Sequence, residues 1–327
     1  MNRWLIPSLV VALIVISVVS LLVGTVWLRP DELISGFTDP RPNLAGLLLG
    51  EVRLPRMVLG VLIGAILGLS GAVLQGLLRN PLAEPALLGV SGGASFGAVI
   101  AIYFGFSASF ALASPIFALI GGLATAAIVF SLARGGGTLS LILAGAAISS
   151  VAFACVELAL NLAPSPFAAY EIMTWLMGSL QDRSWDHVAL AAPFIAVGAI
   201  LLLMTGRSLD ALALGEAQAE SLGVHVGRIR LLALLGTAVG VGAATAVAGA
   251  IGFVGLIAPH LVRPLVGYRP GATLVPAALT GAIVVVAADI CTRLIRFGPP
   301  IGLGVFTSVV GAPFFLWLVL HVRKTTL

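Results

Sequence analysis

Apolar runs of twenty residues or more recur along this chain, and runs of that length leave a backbone few options. In hydrocarbon every N–H and C=O must be satisfied within the protein, so only helices or a closed barrel can span a bilayer. A transmembrane barrel needs short segments of alternating polarity; here the runs are continuous, and Leu5 to Leu28 carries no charge at all. Only 9% of the 327 residues are charged and 60% are hydrophobic, against about 25% charged in soluble domains. The expected fold is an all-α polytopic membrane protein, a single transmembrane domain over 1–327. About ten transmembrane helices are read: the first within Met1 to Leu28, the second from Arg53 to about Leu78, the rest centred near Ala98, Leu123, Val151, Val197, Val239, Leu256, Val285 and Phe315. The third and eighth are short and need their neighbours to cross about 30 Å of hydrocarbon. A polar loop is expected from Arg29 to about Glu51.

Ten spans put both termini on one side. With the termini in the cytoplasm, ten basic residues fall at inner ends and loops, among them Arg79, Arg207, Arg228, Arg230, Arg263 and Arg269, and seven at outer ones. That bias sets the orientation. The pI reflects this topology signal, because the basic residues form no runs that would suit nucleic acid. Cys155 and Cys291 lie in apolar runs and read as buried small hydrophobes rather than a disulfide. Gly60, Gly64, Gly68, Gly236 and Gly240 stand at small-xxx-small spacing, which lets helices pack closely in lipid.

One stretch breaks the pattern. Gly71 to Gly89 reads GAVLQGLLRNPLAEPALLG, with Pro81 and Pro85 four residues apart beside Arg79, Asn80 and Glu84. Two prolines so placed cannot sit in one straight helix, and irregular backbone at membrane depth survives only inside protein or beside water. A shift of 178 residues lays Gly71, Ala72, Leu78, Pro81, Leu87 and Gly89 on Gly249, Ala250, Leu256, Pro259, Leu265 and Gly267. Interrupted apolar segments in matching positions of two halves, about 53–165 and 228–322, point to a transporter with internal repeats. The second and seventh spans run in opposite directions, so the repeats are inverted.

Chemistry-bearing motifs are sparse. The only lysine is Lys324, which excludes a GxxxxGK[ST] phosphate loop; any ATP must be bound by a partner. His187, His225, His260 and His321 are scattered and make no metal-ligand set. Asp289 and Arg293 share a helix face one turn apart and can neutralise each other. Arg293 can instead join Arg53 and Arg56 in an outward basic surface, and Glu157 is a further intramembrane carboxylate. Together Glu157 and Asp289 permit a second reading, a proton-coupled secondary transporter. The cytoplasmic loop 207–230 alternates apolar and charged residues, and Gly215 and Gly223 break it into two short helices. With acids among its alanines it suits a partner protein better than lipid headgroups.

These features resemble the FecCD-type permeases, the membrane subunits of ABC importers for iron-siderophore chelates, haem and cobalamin. The resemblance rests on RLPR (Arg53 to Arg56), GAVLQGLLRNPLAEPALLGVSGGA (Gly71 to Ala94), LAG (Leu143 to Gly145), WLMGS (Trp175 to Ser179), LALGEAQAESLG (Leu212 to Gly223), GAIGFVGLIAPHLVR (Gly249 to Arg263), Ala288–Asp289 and GAPFF (Gly311 to Phe315). It implies a homodimer, or a pairing with a close paralogue, in the bacterial inner membrane. Two cytosolic ABC ATPases would bind ATP and Mg below, and a periplasmic or lipid-anchored binding protein would dock above; this chain itself holds no cofactor. It further implies docking by Arg53, Arg56 and Arg293, and ATPase coupling through Leu214, Gly215, Glu216, Ala217, Ala219, Leu222 and Gly223. The implied cytoplasmic gate comprises Asn80, Pro81 and Leu82, with Thr138 opposite. One departure stands out: where the family often has Glu-Leu-Pro-x-Gly before the last span, this chain has Pro300 to Gly304 without the acid.

Overall fold

The computed structural model describes residues 3–24, 26–38, 43–133, 138–295 and 301–325. In chain order the helices are α1 (Leu5–Leu22), α2 (Pro30–Thr38), α3 (Leu44–Leu47), α4 (Leu54–Leu77), α5 (Val90–Tyr103), α6 (Phe106–Ser109), α7 (Ala113–Leu132) and α8 (Thr138–Asn161). They continue with α9 (Pro166–Leu176), α10 (Trp185–Leu203), α11 (Gly206–Leu212), α12 (Glu216–Ser221), α13 (Val226–Ala248), α14 (Val254–Val262), α15 (Pro270–Leu294) and α16 (Leu303–Thr325). A π-helical turn, Leu48–Arg53, joins α3 to α4, and 3-10 turns occupy Pro85–Leu88 and Arg263–Val266.

Among the described residues seven helices are long and apolar enough to cross a membrane, and α5, α14 and α16 are shorter apolar helices. Each segment read from the sequence falls on one of these. At 1.5 Å per residue, the 14 residues of α5 and 9 of α14 reach only about 21 and 14 Å, so both depend on surrounding helices. The stretch from Arg29 to Glu51 is not simply a loop. It folds into α2 and α3, where the Asn43 side chain caps α3 by accepting from Gly46 N–H.

Burial separates the centre from the periphery. The apolar windows of α4, α13 and α15 are 72%, 78% and 61% buried, whereas those of α1 and α8 are 17% and 22% buried. Glycines set the central spacing: a Cβ on Gly68 would stand 2.2 Å from Ala277 O, and one on Gly64 would stand 2.3 Å from Gly281 O. The backbones of α4 and α15 therefore touch, as small-residue packing in lipid allows.

Helices α4 and α13 cross at Ser70 and Thr237, whose hydroxyls lie 2.8 Å apart. Gly60 of α4 approaches Leu180 while Gly76 approaches Leu209. Along α13 the order is reversed: Arg230 near its start pairs with Glu216, and Gly249 at its end meets Trp175 and Gly178. The two helices are antiparallel. The repeat register appears in the backbone too. The 3-10 turns Pro85–Leu88 and Arg263–Val266 stand 178 residues apart, and each closes on a left-handed glycine, Gly89 at φ 77° and Gly267 at φ 68°. The breaks differ. The first follows Leu77; the second follows Ala248, which corresponds to Ser70, so the second segment regains helix as α14 before its 3-10 turn.

Candidate translocation and coupling site

The interrupted segments meet inside the protein. A Cβ on Gly71 would stand 1.8 Å from Gly255 O, and one on Gly255 would stand 2.7 Å from Pro85 Cδ. Only glycine tolerates that approach. After α4 the chain turns at Arg79, held at φ 49°. Asn80 then stabilises the turn, its Oδ1 accepting from Leu82 N–H at 2.9 Å and its carbonyl from Ala83 N–H at 3.2 Å. Asn80 is exposed and Pro81 and Leu82 are half-buried. Thr138 is the first residue of α8, but its side chain lies outside the described residues. Farther along, Phe253 takes the left-handed conformation at φ 66° immediately ahead of α14. The close approach of Gly255 to Pro85 sets one broken segment against the start of the other.

A cavity of about 310 Å³ opens beside the first break, between the end of α4, the residue before the α11–α12 turn, and the start of α15. Sequence reading passed over one residue there. Gln75 is 3% exposed; its Oε1 accepts from Arg263 Nη2 at 2.6 Å, and its Nε2 donates to Gly255 O at 3.2 Å. A glutamine in an apolar run was the available signal, since a buried amide needs partners.

Loop 207–230 forms α11 and α12, separated at Gly215 (φ 115°) and ended at Gly223 (φ 83°). Leu209, Leu212 and Ala219 are buried and fix the loop to the bundle. Leu214 and Leu222 point away, 65% and 66% exposed, and Ala217 is exposed between them. Glu216 pairs with Arg230 at 2.8 Å, and Asp210 accepts from Gly271 N–H at 2.8 Å and from Arg269 at 3.3 Å. The loop is a rigid knuckle with two bare leucines.

At the opposite end the structure brings Arg53, Arg56 and Arg293 together and holds each guanidinium in hydrogen bonds or ion pairs within the protein. Arg53 is 6% exposed and its guanidinium donates to the carbonyls of Leu21, Leu22 and Val26. Arg293 donates to Ser20 O (2.9 Å), Val23 O (2.7 Å) and Ser20 Oγ (2.6 Å), and contacts Asp289 at 2.9 Å. Arg56 clasps Asp289 with both Nε and Nη2, the shorter contact at 2.8 Å. The physical reason is local: the last carbonyls of α1 have no helical partner, and a carboxylate only 3% exposed needs counter-charge. Arg53 and Arg293 meet the first need, Arg56 and Arg293 the second. The relay reading gains no support here: Asp289 is locked between two guanidiniums, and Glu157 is exposed on α8 of the single chain.

A helical bundle with two inverted, interrupted segments, a cavity at the break and a projecting knuckle defines a polytopic membrane permease. The chain belongs to the FecCD transport family, whose model matches residues 12–321. It is 41% identical over 285 residues to the cobalamin import system permease protein BtuC of Halobacterium salinarum, covering 85% of this chain and 74% of that one. To the hemin transport system permease protein HmuU of Yersinia pestis it is 40% identical over 279 residues, covering 84% and 83%. A solved structure of a metal-chelate type ABC transporter in an inward-facing conformation superposes with a TM-score of 0.86 at 32% identity, covering 97% and 98%.

Proposed function

We propose that this chain is the permease subunit of an ABC importer that passes a metal chelate, of the iron-siderophore, haem or cobalamin kind, into the cytoplasm. Two copies, or this chain and a close paralogue, enclose the path, with both termini and loop 207–230 on the cytoplasmic side of the bacterial inner membrane. The observation that carries this reading is the contact of two interrupted segments beside a cavity, in a chain similar to permease proteins of a cobalamin import system and a hemin transport system. Asn80, Pro81, Leu82 and Thr138 serve as the cytoplasmic gate. Leu214, Gly215, Glu216, Ala217, Ala219, Leu222 and Gly223 engage a cytosolic ATPase that binds ATP and Mg. The buried arginines support binding-protein docking indirectly: they hold α1 against α4 and α15, and Arg56, the most exposed of the three, lies at the edge of the surface so formed.

Reconstitution tests the reading. Proteoliposomes holding this chain, its ATPase and its binding protein should accumulate cobalamin, haem or a ferric chelate only with ATP. An ATPase variant unable to hydrolyse ATP should lower uptake at least tenfold; uptake that persists without ATP contradicts the assignment.

A further inference from the structure

The cavity beside the first break has a chemistry that the transport path does not explain. Its wall carries two guanidiniums, Arg79 and Arg263, with Gln75, Asn80, Tyr268 and Thr273 as further polar groups, and no carboxylate lines it. Among the described residues neither arginine has a carboxylate partner; Asp210, the carboxylate of α11, is occupied by Gly271 N–H and Arg269. Arg263 is held in place by the buried Gln75, itself anchored to Gly255 O, so this cation is positioned before any ligand arrives. Arg79 and Tyr268 are two of four non-glycine residues at positive φ among those described, at 49° and 60°. Left-handed backbone at such residues is strained and marks sites whose surroundings over-determine them. Both bends lie on this one cavity.

We propose that the cavity binds a phosphate-bearing anion, the headgroup of an anionic phospholipid or free phosphate, bridging Arg79 and Arg263. Planar guanidinium forks match phosphate oxygens and are strongest when fixed in advance. Basic recesses between helices at headgroup level are suited to anionic headgroups, and about 310 Å³ exceeds the needs of a bare phosphate. Because Arg79 follows α4 and Arg263 ends α14, a bridging anion ties the two interrupted segments and favours one arrangement of the break. The binding claim stands on the cavity alone and does not depend on which cargo is carried.

The test measures thermal melting of the purified full chain in nanodiscs of phosphatidylcholine, with or without phosphatidylglycerol, and separately with inorganic phosphate. Stabilisation by phosphatidylglycerol identifies the lipid source; stabilisation by millimolar phosphate in phosphatidylcholine identifies the free anion. In either arm Arg79→Gln, an exposed change that leaves the Gln75 network intact, should raise the half-saturating concentration about fivefold, as expected for one arginine near a charged surface. Arg263→Gln should do the same or more. The proposal is overturned if neither anion stabilises the wild-type chain, or if both variants respond as it does.

Discussion

Replacing Asp289 with leucine is expected to lower stability by about 3–5 kcal/mol, the cost of removing one partner from a buried ion pair. Asp289 is the shared counter-charge of Arg56 and Arg293, at 2.8 and 2.9 Å, and without it two guanidiniums face each other with little solvent. In detergent the melting temperature should fall by roughly 5–10 °C. The double variant Asp289→Leu with Arg56→Met should recover part of the loss, because it removes one orphaned charge. Recovery stays partial, since Arg293 still caps the Ser20 and Val23 carbonyls. A single substitution that leaves melting unchanged would show that the network carries no stability.

The second large effect is expected at the knuckle. Leu214→Glu combined with Leu222→Glu should leave melting unchanged, because both side chains are mostly exposed and anchor nothing in the bundle. If they fill a cleft in the ATPase, burying two carboxylates there should weaken assembly about a hundredfold, one decade for each lost anchor. Titrating the ATPase against the reconstituted variant reads this directly. Equal affinity for variant and wild type would remove loop 207–230 from the coupling role.

The all-helical class was legible because continuous uncharged runs admit few alternatives, and the break after Leu77 because Pro81 and Pro85 cannot share a helix with it. Gly215 and Gly223 marked the ends of α12 for a similar reason, since both positions need positive φ. The fate of the arginines was not legible. RLPR shows two apolar-flanked charges but cannot show that α1 ends beside them with bare carbonyls, a fact of tertiary packing alone. The second break was only partly visible: Pro259 lies inside α14, and the chain leaves its helical path earlier, at Gly249, where Trp175 O stands 2.4 Å from any added Cβ. Gln75 escaped notice because its partners, Arg263 and Gly255, are 188 and 180 residues away.

The break at Asn80 is expected to border a passage whose access changes with the ATPase cycle. Asn80→Cys, made in a chain whose Cys155 and Cys291 are alanine, should react with a charged thiol reagent in proteoliposomes of the full complex. The account predicts that the labelling rate changes at least fivefold between nucleotide-free and ATP-bound complexes, and that labelling blocks uptake. Labelling that is indifferent to nucleotide and leaves uptake intact would contradict it.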